Sequence, residues 1–505
     1  MEGLGDEVTA TPLPAHVRVL VVGAGFGGIG MAATLLRDDP AADVLVIERG
    51  DDVGGTWRVN TYPGAACDVP SALYSFSFAP EPDWSRAHGT GSEILGYLRR
   101  VAREHGVADR TIVDCELLDA RWDPDRTRWA VETSRGALTA DVLVTATGAL
   151  STPAVPKVPG AELFRGRMFH SAEWDHGCDL TGRKVAVIGT GASAIQFVPE
   201  IVDRVGHLTL FQRTASWVMP KRDHRIARPV RALYRRLPWT QKVVRGLVYG
   251  QKEAYVVGMT KPLARRYVLP LFEKRARSVL RSQVRDRDLR ARLTPDFAIT
   301  CKRILLSDDW FPAITRPHVT VVSSALSAVT EEGVVDDAGR EYPADVIIFG
   351  TGFTPTEPPV AHRIRGVDGR TLAEAWNGSP AAYLGISVHG FPNLFLMYGP
   401  NTNLGHSSIV YMLESQAAYI ADALRVMSVR HLDAVEVRAD VQRRYIAELD
   451  PALAGTVWNA GGCNSWYLDA TGRNSVMWPT FTWRYRSRTK EFDAHSFASR
   501  PRGGR

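Results

Sequence analysis

Apolar residues recur along this chain with two periods, and the order in which the periods alternate is regular. Residues 17–22 form a β-branched and leucine-rich run that passes at once into Gly23-Ala24-Gly25-Phe26-Gly27-Gly28. A helix-patterned stretch follows to about Arg37, and a second apolar run, 44–47, ends at Glu48. Strand, glycine turn, helix, strand and terminal acid is the order of a dinucleotide-binding βαβ unit. The order returns at 184–188, with Gly189-Thr190-Gly191-Ala192-Ser193-Ala194, a helical 195–205, and a strand over 208–211 that ends in Gln212-Arg213 instead of an acid. Two such units predict two dinucleotide sites.

Two further apolar runs end in glycine: 141–146 leads into Thr147-Gly148, and 345–349 into Gly350-Thr351-Gly352. Each reads as a parallel strand whose C-terminal end opens onto a ligand crevice. The first is expected to close the initial segment of the first domain. The second is expected to mark the return to that domain, with the second unit inserted between. Residues 225–293 read as helices in which Leu, Val and Tyr are interleaved with arginines. The expectation is a helical subdomain capping the active site with solvated basic faces; attraction to an acidic membrane or partner is the second reading. The basic, polar tail from Ser487 is expected to fray.

Composition narrows the class. A chain of 505 residues with 45% hydrophobic and 23% charged residues suits two or three folded domains. Residues 1–16 carry no basic-plus-apolar signal segment, and no run approaches the roughly 18 apolar residues that span a bilayer. Five cysteines, at 67, 115, 178, 301 and 463, are an odd number without a CxxC pair. They predict reduced thiols in a cytoplasmic protein, and neither a metal site nor a dithiol redox centre. Net charge is +6, concentrated between Lys221 and Arg303, where 23 Lys or Arg face 6 acids. No nucleic-acid module accompanies that surplus, so nucleic acid is not an expected partner.

The candidate chemistry begins with the glycines. Gly23 permits the tight turn, Gly25 lets backbone amides approach a pyrophosphate, and Gly28 lets the helix pack on the strand. Glu48 is placed to accept hydrogen bonds from ribose hydroxyls. In the second unit Gly189, Thr190 and Gly191 repeat the turn. Arg213 stands where an acid would favour an unphosphorylated ribose, and a guanidinium there favours a 2′-phosphate, hence NADPH over NADH. A disulfide reductase also has two dinucleotide sites but needs a redox cysteine pair.

The linker between the units is more specific. Phe164, Gly166, His170 and Trp174, followed by Asp175, fit FxGxxxHxxxW(P/D), a string that resembles the fingerprint of Baeyer–Villiger monooxygenases, within the class B flavoprotein monooxygenases. Gly54-Gly55-Thr56-Trp57, Tyr62-Pro63-Gly64 and Asp68 resemble that family's first active-site loop, and Cys301-Lys302-Arg303 its active-site arginine segment. Residues 394–401, ending in Asn401, resemble a flavin-side segment, and the 463–467 stretch with Trp466 the mobile loop that closes over NADP. The likeness runs from about Val17 to Arg486.

The resemblance implies an α/β fold of two Rossmann-like domains, for FAD and NADP, with a helical insertion. The implied boundaries are 1–157 and 341–505 for the FAD-binding domain, 158–224 and 296–340 for the NADPH-binding domain, and 225–295 for the insertion. It implies that NADPH reduces the flavin, that the flavin captures O2 as a C4a-peroxide, and that this attacks a ketone to give an ester or lactone. Arg303 would stabilise the anionic species, since arginine stays protonated and offers fixed donors, and Asp68 would orient it. Gly55, Thr56, Trp57, Asp68 and Asn401 would serve the flavin. Lys302 would join Arg213 at the 2′-phosphate, and Trp466 would contact NADP. His170 reads as a linker or conformational hinge and Trp174 as packing. A flavoprotein that oxygenates nitrogen or sulfur is the second enzyme reading, and a non-catalytic flavin-binding protein the alternative from another class.

Overall fold

The computed structural model describes residues 12–354, 358–463 and 465–503. Asn464, inside the expected mobile loop, and residues 1–11 of the expected signal-free N-terminus lie outside them. The run at 17–22 becomes the strand His16–Val22, which pairs in parallel with Val44–Ile47 on one side and Gly136–Thr145 on the other. Four of the last five residues of such a strand would be hard to place on a one-sided sheet; here Val19 to Val22 are all buried, because helices cover both faces. This first sheet has eight strands, and Leu394–Leu396 joins it beside Gly136–Thr145. The helices Phe26–Asp38 and Ile409–Val429 contribute to one core against it.

The second sheet has five strands, all parallel, in the order Val319–Val322, His207–Phe211, Lys184–Ile188, Val346–Phe349, Arg167–His170. Here the expectation for 345–349 is corrected. Val346–Phe349 pairs with Lys184–Ile188 and Arg167–His170, so it belongs to the second sheet and not to the chain's return to the first domain. The apolar run VIIF has no facial pattern to say which sheet it enters; both neighbours that bury it come from the second unit. The boundary expected at 341 therefore moves beyond Gly350.

The basic stretch folds as helices Arg228–Arg236, Pro238–Thr260, Pro262–Gln283 and Arg287–Arg292. Its inner side packs with Trp217, Phe297, Cys301, Trp458 and Tyr467 in a separate core cluster. The tail does not fray as expected: Phe497–Pro501 pairs antiparallel with Leu432–Val437, and Phe492 and Phe497 are buried in the first core. Two aromatic anchors outweigh the polar composition around them.

Candidate active site

The two glycine turns are built alike. Gly23 has φ +104° and Gly189 φ +105°, in the region that disfavours side chains. A Cβ on Gly23 would lie 2.7 Å from the Ala146 carbonyl oxygen, and one on Gly189 would lie 2.6 Å from that of Gly350. In each unit the first strand thus meets the glycine-ending strand beside it at its C-terminal end. Gly28 is the packing glycine: its Cβ would fall 1.8 Å from the Gly23 carbonyl oxygen. Glu48 is buried, and its carboxylate accepts hydrogen bonds from the amides of Ala24 (2.8 Å) and Gly50 (3.0 Å). These bonds fix an anionic acceptor at the mouth of the first turn.

Both turns open into one cavity of about 1170 Å³. Gly23, Gly25, Glu48, Gly55, Thr56, Trp57 and Asp68 line its first half; Gly189, Thr190, Gly191, Arg213, Lys302, Arg303 and Trp466 line the second. Gly25 and Gly55 oppose one another, a Cβ on Gly55 meeting the Gly25 Cα at 2.9 Å. That leaves a bare backbone cradle suited to a pyrophosphate. Trp57 donates its indole N–H to the Tyr74 hydroxyl at 3.2 Å, which holds the ring at the cavity wall.

Where the halves meet, Arg303 donates from Nε to Asp68 at 2.6 Å and from Nη2 at 2.7 Å, a bidentate pair. The side chains keep 37% and 28% of their surface open to the cavity, so one edge of the guanidinium stays available to a ligand. Burial pushes the Asp68 carboxyl up, but the Arg303 charge and its hydrogen bonds, aided by Lys252, hold it below the usual range. The Asp68 charge drives the Arg303 value well above the usual one against the cost of burial. Both groups are ionised.

Lys302, the neighbour of Arg303, sits with its ammonium over the Phe297 ring at 5.0 Å. Burial and then the nearby Arg213 charge lower its pKa. Two cations that repel one another on the wall of a shared cavity are suited to a doubly charged anion such as a 2′-phosphate.

Three expectations change. Asn401 does not reach the cavity: its side-chain amide donates to the carbonyls of Asn474 (2.8 Å) and Met477 (3.2 Å) and accepts from Arg473 (2.8 Å). It pins the C-terminal segment, while Tyr398 on the same stretch and Asn403 just beyond it line the cavity. Second, the thiols are not all reduced. Cys301 and Cys463 form a disulfide across 162 residues of sequence, leaving Cys67, Cys115 and Cys178 free. Sequence separation hid the pair; the fold brings the arginine segment and the C-terminal loop together. Third, the loop expected to be mobile is thereby tied to the residue before Lys302.

Residues that the sequence did not flag complete the site. Gln196, on the helix Ala194–Ile201, accepts from the Tyr62 hydroxyl (2.9 Å) and the Ala66 amide (3.3 Å) and donates to the Ala66 carbonyl (2.9 Å). It joins the second unit to the first unit's active-site loop. Lys252 reaches the Asp68–Arg303 field from the insertion, which no spacing could show. Tyr467 borders Arg303, and burial pushes its hydroxyl up to about 12. Burial also raises Cys67, again to about 12, so this cavity thiol is no nucleophile.

Residues 20–236 match the family model of pyridine nucleotide-disulphide oxidoreductases. A Baeyer–Villiger monooxygenase of Streptomyces coelicolor is 50% identical over 479 residues, 95% of this chain and 92% of the relative. One from Pseudomonas aeruginosa is 46% identical, across 97% of this chain and 93% of its own length. The chain belongs to the Baeyer–Villiger monooxygenase family. Solved structures agree with this Baeyer–Villiger assignment: a steroid monooxygenase bound to NADP superposes with a TM-score of 0.85 at 29% identity, covering 97% of this chain and 100% of that one. A cyclohexanone monooxygenase from Rhodococcus sp. Phi1 bound to NADP+ gives 0.84 at 26% identity, with the same coverage.

The Baeyer–Villiger fingerprint lies outside the cavity. Gly166 has no room for a side chain, a Cβ meeting the Asp345 carbonyl oxygen at 2.2 Å and the Phe164 ring at 2.7 Å. His170 ends the edge strand of the second sheet, is buried, and accepts from the Ala172 amide at 3.1 Å. Trp174 packs edge-on against Phe169 at 5.3 Å and tilted against Phe197 at 5.2 Å. In this chain the string therefore docks the linker on the second sheet.

Proposed function

We propose that this chain converts a ketone to an ester or lactone, consuming NADPH, a proton and O2 and releasing NADP+ and water. The observation that carries the reading is a permanently charged arginine, oriented by a carboxylate, facing a cavity that two dinucleotide turns share. Gly23, Gly25, Glu48, Gly55, Thr56 and Trp57 would hold FAD, and Gly189, Thr190, Gly191, Arg213, Lys302 and Trp466 would hold NADPH. When bound, these cofactors supply the electrons and the activated oxygen.

The residues supply the rest. Arg303 stabilises negative charge as it develops on the carbonyl oxygen, a role that needs a cation unable to give up its proton. Asp68 fixes the plane of the guanidinium and leaves its other edge free. Gln196 holds Tyr62 and the loop around Ala66 against the second domain, which keeps the two halves of the cavity in register. Trp466 and the tethered loop exclude water from the reacting atoms. The proposed location is the cytoplasm on the ground of NADPH supply alone, since the Cys301–Cys463 bond removes the reduced-thiol argument for it.

Aerobic turnover of purified protein with linear, cyclic, aromatic and steroid-like ketones under 18O2 tests the reading. One labelled oxygen should appear in the ester group of the product, with one NADPH consumed. NADPH oxidation that yields sulfoxides from sulfides but no ester from any ketone overturns it.

A further inference from the structure

Helices Pro238–Thr260 and Pro262–Gln283 turn an apolar face toward solvent. Buried positions define the inner side: Gln241 donates to the Glu81 carbonyl, Arg245 to the carbonyls of Ala72 and Ser75, and Glu253 accepts from Thr482. Leu269, Ala276 and Leu280 do the same for the second helix. On the outer side Trp239, Val243 and Leu247 follow one another at four-residue intervals, and Leu263, Tyr267 and Leu271 repeat the spacing. Leu247, Leu263 and Leu271 are 70%, 74% and 68% exposed, and Trp239 61%. One residue, Lys261, joins the helices, and the Tyr255 and Phe272 rings, 5.8 Å apart, pack them side by side. Singly scattered apolar residues on a surface mean little, but three at helical spacing on each of two packed helices make two exposed apolar stripes.

The charge around these stripes selects their partner. Residues 228–283 hold 14 Lys or Arg and two acids, Glu253 and Glu273. Both acids are engaged by the protein: Glu253 by Thr482 and His406, Glu273 by the Ile299 amide. Among the described residues the exposed Lys242, Lys261, Arg266, Lys274, Arg275 and Arg281 have no ion-pair partner. Two copies meeting face to face would bring these cations together. A surface that is apolar beneath and anionic above suits both features: the stripes enter its acyl boundary and the cations meet its headgroups. No helix among the described residues is long and apolar enough to cross a membrane, so the contact would be peripheral.

We propose that the helical insertion docks this protein on anionic lipid bilayers, with Trp239, Leu247, Leu263 and Leu271 at the acyl boundary. The FAD-loaded full chain, floated with phosphatidylcholine vesicles containing phosphatidylglycerol, should partition at least about tenfold more strongly than with phosphatidylcholine alone, and added salt should weaken it. The combined Trp239→Ser, Leu247→Ser and Leu271→Ser variant, and separately Lys274→Glu with Arg275→Glu, should each lose about tenfold in partitioning. Retained FAD absorbance and melting temperature show that the variants fold.

Failure of the wild type to float with anionic vesicles at low salt overturns the proposal, as do folded variants that float like wild type. Light scattering that reports a dimer dissociated by Trp239→Ser assigns the face to a second copy and likewise overturns it. These results are independent of ketone oxidation, which is measured by ester formation without vesicles.

Discussion

The Arg303 guanidinium is held by both oxygens of Asp68, and the two charges reinforce one another. Removing the cation should cost about 3–4 kcal/mol of transition-state stabilisation, as loss of one oxyanion donor does. Arg303→Ala is therefore expected to bind FAD and accept hydride from NADPH, while stopped-flow and product analysis show ester formation reduced by two to three orders of magnitude, roughly. Asp68→Asn should have a smaller effect in the same step, because the cation survives and only its orientation is lost. The Asp68 value is depressed, so its charge is complete above the usual carboxylate range and disappears only as pH falls through the lower folded value. Arg303 is raised, which extends the pair on the alkaline side. Neither group should contribute a limb to the rate profile between about pH 5 and 9. Lys302 behaves differently. Burial and Arg213 lower its pKa, so its cation is lost sooner as pH rises. KM for NADPH should climb on the alkaline side below the usual lysine range, with KM for NADH flat. Lys302→Arg should remove that limb, and Arg213→Ala should weaken NADPH by about 1.5–3 kcal/mol with little effect on NADH.

Single elements explain why the sequence located the turns yet misjudged the cysteines. A glycine turn is local: strand, Gly23, Gly25, Gly28 and Glu48 lie within 33 residues, and their mutual geometry follows from the chain itself. The loop carrying Trp466 is fixed by something non-local, the Cys301–Cys463 bond, which fastens it beside the arginine segment. Thiol titration checks this. Three thiols should react in the unfolded, unreduced chain and five after reduction, whereas the native fold should leave Cys67 unreactive, since burial pushes it to about 12. Five reactive thiols without reduction would remove the tether. Reduction should release the loop, and NADP should dissociate faster in a displacement experiment.

At the scale of the molecule, the site exists only because two distinct sheets share one cavity. Besides the Arg303–Asp68 pair, Gln196 bonds them through three hydrogen bonds to Tyr62 and Ala66. Gln196→Ala leaves those partners unsatisfied, at a cost of about 1–3 kcal/mol. The fraction of NADPH that ends in ester should fall while hydride transfer proceeds, as measured by product formed per NADPH consumed. Unchanged coupling would show that the domains hold their register by other contacts.

Sequence alone determined what depends on neighbours along the chain. It specified the two βαβ turns, the buried strand runs and the helical nature of the insertion, because backbone φ, periodicity and charge are properties of short segments; Arg303 and Asp68 were reached only through the resemblance of their segments to a known family. Tertiary structure decided the sheet to which Val346–Phe349 belongs, that Asn401 braces the C-terminal segment while Tyr398 and Asn403 line the cavity, and that the tail is anchored by Phe492 and Phe497. It also decided that Cys301 finds Cys463 and that the Lys252 charge acts on the Asp68 carboxylate. Each of these joins residues far apart in sequence, and which distant partner a side chain meets is fixed by the packing of whole elements.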